Sequence, residues 1–219
     1  DKPVKYLVNP HFHSDHTFGN QFFNCDIIAG YDTPVLMQGY LEKLSSWLKT
    51  EKDPQVVKVL RDVKLTYPTL LLQGRITLTD SNPKIEIAHL GGHTSDSLVV
   101  LVPSEQVAFT GDLIFQGTHP FARDADIDAW ISGLNWLMDC GASLYIPGHG
   151  NPCSVDEVNR TIEYLRCFKR NLKELKAKGL TVDEIASKPE LLKLPKQERE
   201  VPWDIESLSQ SIRGQYSKI

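Results

Sequence analysis

Four candidate metal ligands, His11, His13, Asp15 and His16, stand within the six residues HFHSDH. Zinc-class ions are held by several nitrogen or oxygen donors at about 2.0–2.2 Å. Lys5–Val8 (KYLV) reads as a short strand that ends at Asn9-Pro10, so the cluster leaves a strand end, where a rigid scaffold places functional groups. In an extended stretch His11 and His13 point to the same side, and a turn at Ser14 would aim Asp15 and His16 at a neighbouring point. Three more candidates occupy similar positions. His93 follows the strand ending at Leu90, Asp112 the strand ending at Thr110, and His149 the strand ending at Ile146. Four strand ends are thus expected to supply five histidines and two aspartates.

The 219 residues suffice for a sizeable core, and 41% apolar with 24% charged residues excludes disorder and coiled coil as the main state. The apolar run Leu98–Pro103 is far too short for a bilayer, and no signal-peptide pattern opens the sequence. A net charge of −4 argues against a general grip on nucleic acid or anionic lipid. The expected partner is therefore a small-molecule substrate, with no nucleic acid and no membrane. Cys25, Cys140, Cys153 and Cys167 form no CxxC pair and read as reduced thiols, which points to a cytoplasmic location.

Between the motifs, Ile27–Ala29 reads as a strand, and Asp32-Thr33-Pro34 as a capped helix start with Val35, Leu36, Tyr40, Leu44, Trp47 and Leu48 on its apolar face. Asp53-Pro54 starts a second helix. Arg75–Thr79, Lys84–Leu90, Ser97–Val102 and Gln106–Thr110 carry strand patterns. Asp128–Cys140 is expected to be a helix with Trp130, Leu134 and Leu137 inward, and Ser143–Ile146 a strand. Capping boxes at Ser154–Glu157 and Thr181–Glu184 introduce a helical tail, and Ile205, Leu208 and Ile212 continue helical spacing after Pro195. The basic residues from Arg166 to Lys178 read as a solvated helix face.

The stretches His11–His16, Gly92-His93-Thr94, Thr110-Gly111-Asp112 and Pro147–Gly150 stand in the order of the HxHxDH, GHT, TGD and PGHG motifs of the metallo-β-lactamase superfamily. The chain resembles that superfamily from about Val4 to Asn151. The resemblance implies an α/β (α+β) fold, the αβ/βα sandwich, in a single domain over 1–219 with a motif-bearing core (1–151) and a helical C-terminal segment (152–219). It implies that His11, His13 and His93 hold one metal, that Asp15, His16 and His149 hold a second, and that Asp112 bridges them. The expected cofactor is Zn2+, two per chain, with Fe or Mn as alternatives. The expected reaction is hydrolysis by a bridging hydroxide of an ester, lactone, thioester or amide, with Asp15 also moving a proton. The alternatives are an oxidoreductase with one iron, like the superfamily's persulfide dioxygenases, and an inactive metal-binding fragment.

The departures from the family narrow this. Asp112 stands where zinc β-lactamases usually carry cysteine or serine, and His13 where flavodiiron proteins carry glutamate. Family members have strands and a helix before HxHxDH, whereas ten residues precede His11. The sandwich is therefore expected to lack its first N-terminal strands. An apolar face would then be left open, or covered by a missing N-terminal segment or by another copy in a homo-oligomer.

Other residues are secondary candidates. His119, in the loop after Asp112, could touch substrate. His89 reads as a core or supporting residue, and Thr94 and Asp96 could orient His93. Asp124, Asp126 and Asp128 imitate a calcium loop without its glycine and closing glutamate, so capping at Asp128 explains them better. Tyr40, Trp47 and Tyr67 read as packing over the site rather than as pocket lining.

Overall fold

Alternation along the strands sets the layers. The computed structural model describes residues 3–49, 51, 53–197 and 204–219, apart from the side chains at 41–43, 47, 59 and 204. The expected inward place of Trp47 thus lies outside the described residues. Among these residues, β1 (Tyr6–Val8), β2 (Asp26–Gly30) and β3 (Leu70–Leu72) form a parallel three-stranded sheet in that order. β4 (Arg75–Leu78), β5 (Ile85–His89), β6 (Leu98–Val102), β7 (Val107–Phe115) and β8 (Leu144–His149) form a second sheet, antiparallel except for the parallel β7–β8 pair. Ile87 and Leu98 face Ile28 and Leu72 of the first sheet. Their neighbours Ala88, Val99 and Leu101 point the opposite way, into the helices.

Parallel neighbours need crossovers, and helices supply them. α1 (Ser14–Thr17) and a 3₁₀ turn at Phe18–Phe22 lie between β1 and β2, and α2 (Thr33–Trp47) and α3 (Pro54–Arg61) between β2 and β3. α4 (Ile127–Asp139) joins β7 to β8. α5 (Val155–Ala177), α6 (Val182–Ala186) and α7 (Asp204–Tyr216) follow. Trp130, Leu134 and Leu137 of α4 are fully buried with Val158, Leu165, Phe168 and Leu172 of α5, and Ile212 of α7 closes the same core. At about 1.5–3 kcal/mol for each buried large side chain, this helical layer is a main source of stability. The arrangement is the α+β sandwich the motifs implied. On the face that Ile87 and Leu98 turn to the other sheet, Phe109 and Leu144 are 46% and 40% exposed among the described residues.

Several local expectations need correction. β7 runs on through Asp112 to Phe115, and β8 through His149, so both donors sit inside irregular strands rather than after them. Register shifts on either side of Gly111 make this possible. Gly111 has a φ of +50°, and a Cβ there would come within 2.6 Å of Pro10 Cβ. Asp32 makes no side-chain cap on α2, and Val35 is 76% exposed because the buried positions among the described side chains of α2 are Thr33, Met37 and Leu44. Asp126, not Asp128, caps α4 by accepting from the Ala129 N–H, while Asp128 pairs with Lys169. Ser154 caps α5, but Glu157 turns inward and pairs with Arg160 instead of closing the box. The Thr181–Glu184 box is closed. The four cysteines are free, and no described helix is long and apolar enough to cross a membrane.

Candidate metal centre

His13 ends the extended run, and α1 begins one residue later, so the chain turns at Ser14 as its spacing suggested. Thr17 Oγ donates to the His13 carbonyl, fixing that turn. Asn9 and Asn20 exchange side-chain amide hydrogen bonds at 2.8 and 2.9 Å, and Asn9 Nδ2 also donates to the His16 carbonyl. This buried amide pair anchors the far end of the turn. His93 rides on a loop held by His89 Nε2 against the Ser95 carbonyl at 2.6 Å. Thr94 and Asp96 act on that loop rather than on the His93 ring. Asp96, fully buried, accepts from Thr94 Oγ and from Thr33 Oγ of α2, both at 2.6 Å. Burial raises the Asp96 carboxyl above its ordinary range.

All seven expected donors converge. His11, His13, His93 and Asp112, all buried, form one group with donor atoms within 4.8 Å of one another, and Asp15, His16 and His149 form a second. In the first, His13 Nδ1 lies 2.9 Å from His11 Nε2 and 3.2 Å from His93 Nε2. In the second, Asp15 Oδ2 lies 3.3 Å from His16 Nε2 and 3.2 Å from His149 Nε2. Asp112 belongs to both. Its Oδ1 is 3.2 Å from His16 Nε2, and its Oδ2 is 3.4 Å from His149 Nε2, 3.5 Å from His93 Nε2 and 3.7 Å from His11 Nε2.

These residues fit metal ions. An ion about 2.1 Å from each of four tetrahedral donors sets those donors about 3.4 Å apart, the spacing seen here. His16 Nε2 and Asp112 Oδ1 are buried with no hydrogen-bond partner despite their 3.2 Å approach. Leaving such atoms unsatisfied costs roughly 1–3 kcal/mol each, which a shared cation would offset. Gly148 lets the two halves meet: a Cβ there would stand 1.9 Å from Asp112 Oδ1.

The two groups differ in protonation. Burial holds His11 well below its ordinary pKa and lowers His93 to about 3, so these rings are neutral and ready to ligate. The Asp112 and Asp15 carboxylates raise His149 to about 10. For His16, burial works downward, but the same two carboxylates override it and raise the ring to about 9. Burial also favours the neutral form of Asp112 and Asp15, yet His149 and His16 keep both well below the usual carboxylate range.

One supporting residue is not evident in the sequence. Asp124 Oδ2 lies 3.2 Å from His13 Nε2 and accepts from Arg123 at 2.9 Å. A carboxylate behind a ligand histidine fixes its ring orientation and raises its basicity.

A cavity of about 400 Å³ opens over both groups. Phe115 and Phe121 supply apolar wall, and His119, held by Tyr164 at 2.9 Å, faces in beside Thr118. The Phe115 ring stacks on His149. Tyr40 lines the cavity with its hydroxyl 3.1 Å from Ser14 Oγ, so it is pocket wall rather than plain packing. Tyr67 instead donates to Gln38 at 2.7 Å. The far wall comes from α7, through Ser207 and Gln210.

Residues 1–149 match the sequence model of the metallo-beta-lactamase superfamily. The chain is 24% identical over 166 residues to the acyl-coenzyme A thioesterase MBLAC2 of Homo sapiens, covering 70% of this chain and 58% of that one. It is 24% identical over 229 residues to a linear primary-alkylsulfatase of Pseudomonas sp., covering 87% of this chain and 43% of the other. The solved structure of the sec-alkylsulfatase Pisa1 from Pseudomonas sp. superposes with a TM-score of 0.69 over 100% of this chain and 41% of that one, at 15% identity. The chain thus spans little more than half the length of the thioesterase it matches.

Proposed function

The chain belongs to the metallo-beta-lactamase superfamily, and from that premise we propose that it is a dinuclear metal-dependent hydrolase of ester or thioester bonds, with lactones and amides in the same chemical class. The observation that carries this reading is Asp112, whose two carboxylate oxygens reach donors of both groups. In this reading His11, His13 and His93 hold one ion, Asp15, His16 and His149 the other, and Asp112 joins them. A bound pair of divalent ions supplies water acidified to a pKa near 7 and a Lewis acid for the substrate oxygen.

The chain's own groups do the rest. Asp15, half exposed at the cavity, can hold a proton in transit while it ligates. His119 faces the same cavity and can contact the leaving group. Asp124 keeps the His13 ring oriented. Phe115 and Phe121 exclude water from one side. Zinc suits five imidazoles and two carboxylates, and iron or manganese would accept the same donors. A small-molecule substrate is supported by the cavity's size and by an acyl-coenzyme A thioesterase among the relatives.

The test is elemental analysis of the purified chain with turnover of a panel holding an acyl thioester, an aryl ester, a lactone, an amide and an alkyl sulfate. About two zinc per chain with hydrolysis of the ester or thioester supports the proposal. One iron per chain with no hydrolysis overturns it in favour of oxidation chemistry, and cleavage of the alkyl sulfate alone would redirect it to sulfate esters.

A further inference from the structure

Next to the cavity over the metal donors lies a second chamber of nearly equal size, about 390 Å³. The two share Ser14, Tyr40, Arg123 and Gln210 as common wall. Beyond that neck the character changes. The second chamber's remaining lining is Phe18, Leu44 and Leu60, from the 3₁₀ turn, α2 and α3. Tyr40 faces both environments. Its hydroxyl meets Ser14 Oγ, while its ring packs edge-on against Phe18 at 6.2 Å and Phe12 at 6.4 Å between centroids. Arg123 is likewise tied at the neck, to Asp124 and to Gln210 Oε1 at 3.2 Å, and its guanidinium lies 5.0 Å from the Phe121 ring. The polar groups of the neck thus bond to one another, and among the described residues the rest of the lining is Phe18, Leu44 and Leu60.

We propose that this second chamber takes the unbranched hydrocarbon tail of the substrate's acyl group, while the scissile carbonyl sits over Asp112 and the donor groups. The inference rests on the hydrolase reading for which end of the substrate reacts, and it adds the substrate class: linear acyl chains long enough to pass the neck between Tyr40 and Arg123. Among the described residues the lining beyond the neck is three apolar side chains and no charged one, which suits a hydrocarbon chain better than a sugar, a peptide or a phosphate. It adjoins the donor-lined cavity along four shared residues, Ser14, Tyr40, Arg123 and Gln210. Burying one methylene is worth about a fourfold gain in affinity.

The experiment measures binding rather than turnover. Sodium salts of linear carboxylic acids from butanoate to dodecanoate, each below its micelle threshold, are titrated calorimetrically into the zinc-supplemented chain. Kd is expected to fall about fourfold per added methylene and then level off when the chamber is full. Leu60→Gln should flatten the gradient to less than about twofold per methylene, since it puts an amide where the tail would lie. Should that variant fail to fold, Phe18→Gln reads the opposite wall. A Kd independent of chain length, or a full gradient retained in the variant, overturns the proposal. The hydrolase reading is scored separately: a gradient in Kd with no ester or thioester cleaved at any chain length would sink that reading and leave the tail chamber standing. Cleavage with no gradient would do the reverse.

Discussion

His13 is held from both sides: its Nε2 lies 3.2 Å from Asp124 Oδ2, while its Nδ1 faces His11 and His93. Since Asp124 also accepts from Arg123, that carboxylate stays ionised, and it is held below the usual range by His13 and Arg123 against the upward push of burial. Asp124→Ala should therefore weaken metal binding by about 10- to 100-fold without removing any donor. Competition with a chromophoric chelator measures this. Asp124→Asn should recover part of the loss if orientation is what matters. Unchanged affinity in both variants would show that the contact is incidental.

Removing Asp112 should act on both donor groups at once. Asp112→Ala deletes an anion that reaches His11, His93, His16 and His149 together. The expected outcome is loss of the second equivalent of metal and a fall in turnover of at least about a hundredfold, since repulsion between two dications is no longer offset. Metal content by mass spectrometry under native conditions and the initial rate check it. Full occupancy and a normal rate would remove Asp112 from the centre.

Gly148 lies far closer to Asp112 than any side chain could. Gly148→Ala should displace the carboxylate or the backbone of β8, at a cost of roughly 1–3 kcal/mol as for overpacking. Metal affinity should fall with it. Denaturant unfolding of the metal-free chain, beside a metal titration, separates the two effects. A variant as stable and as avid as the parent would show that the strand end yields freely.

The protonation contrast predicts how metal uptake depends on pH. With His16 raised to about 9 and His149 to about 10, both rings carry protons at pH 7 in the metal-free chain and must lose them to ligate. Affinity at this group should rise as pH climbs from 7 towards 9, by up to about a hundredfold per unit if both protons leave. The same shift has the opposite consequence for the metal-free fold. The stability these two histidines contribute is present in full below their unfolded pKa near 6.5 and is lost as pH rises through 9 to 10. Calorimetry in buffers of differing ionisation enthalpy counts the protons. Zero release at pH 7 would contradict the assignment.

The convergence of the seven donors was legible because each stands within a short pattern of histidine, aspartate, glycine and proline. The order of strands and helices was legible for a related reason: a period of two or of 3.6 shows wherever one face is buried. The role of Asp124 was not legible. Its partner His13 lies 111 residues away, and three alternating aspartates look alike until one finds a histidine, one a backbone N–H and one a lysine. Nor could spacing place Asp112 inside a strand, because the bulge at Gly111 depends on contact with Pro10 across the sandwich. The neck and the second chamber draw on the 3₁₀ turn, four helices and a loop, and no local pattern announces a void between them.

The walls of the cavity come from two stretches of the chain. Every donor lies within the first 149 residues, the part that carries the superfamily's signature. Ser207 and Gln210, which face those donors across the cavity, belong to a helix beyond it. Changes on α7 can therefore reshape the cavity's far wall while leaving every donor in place. An engineer seeking to reshape the cavity without touching a donor would start from that helix.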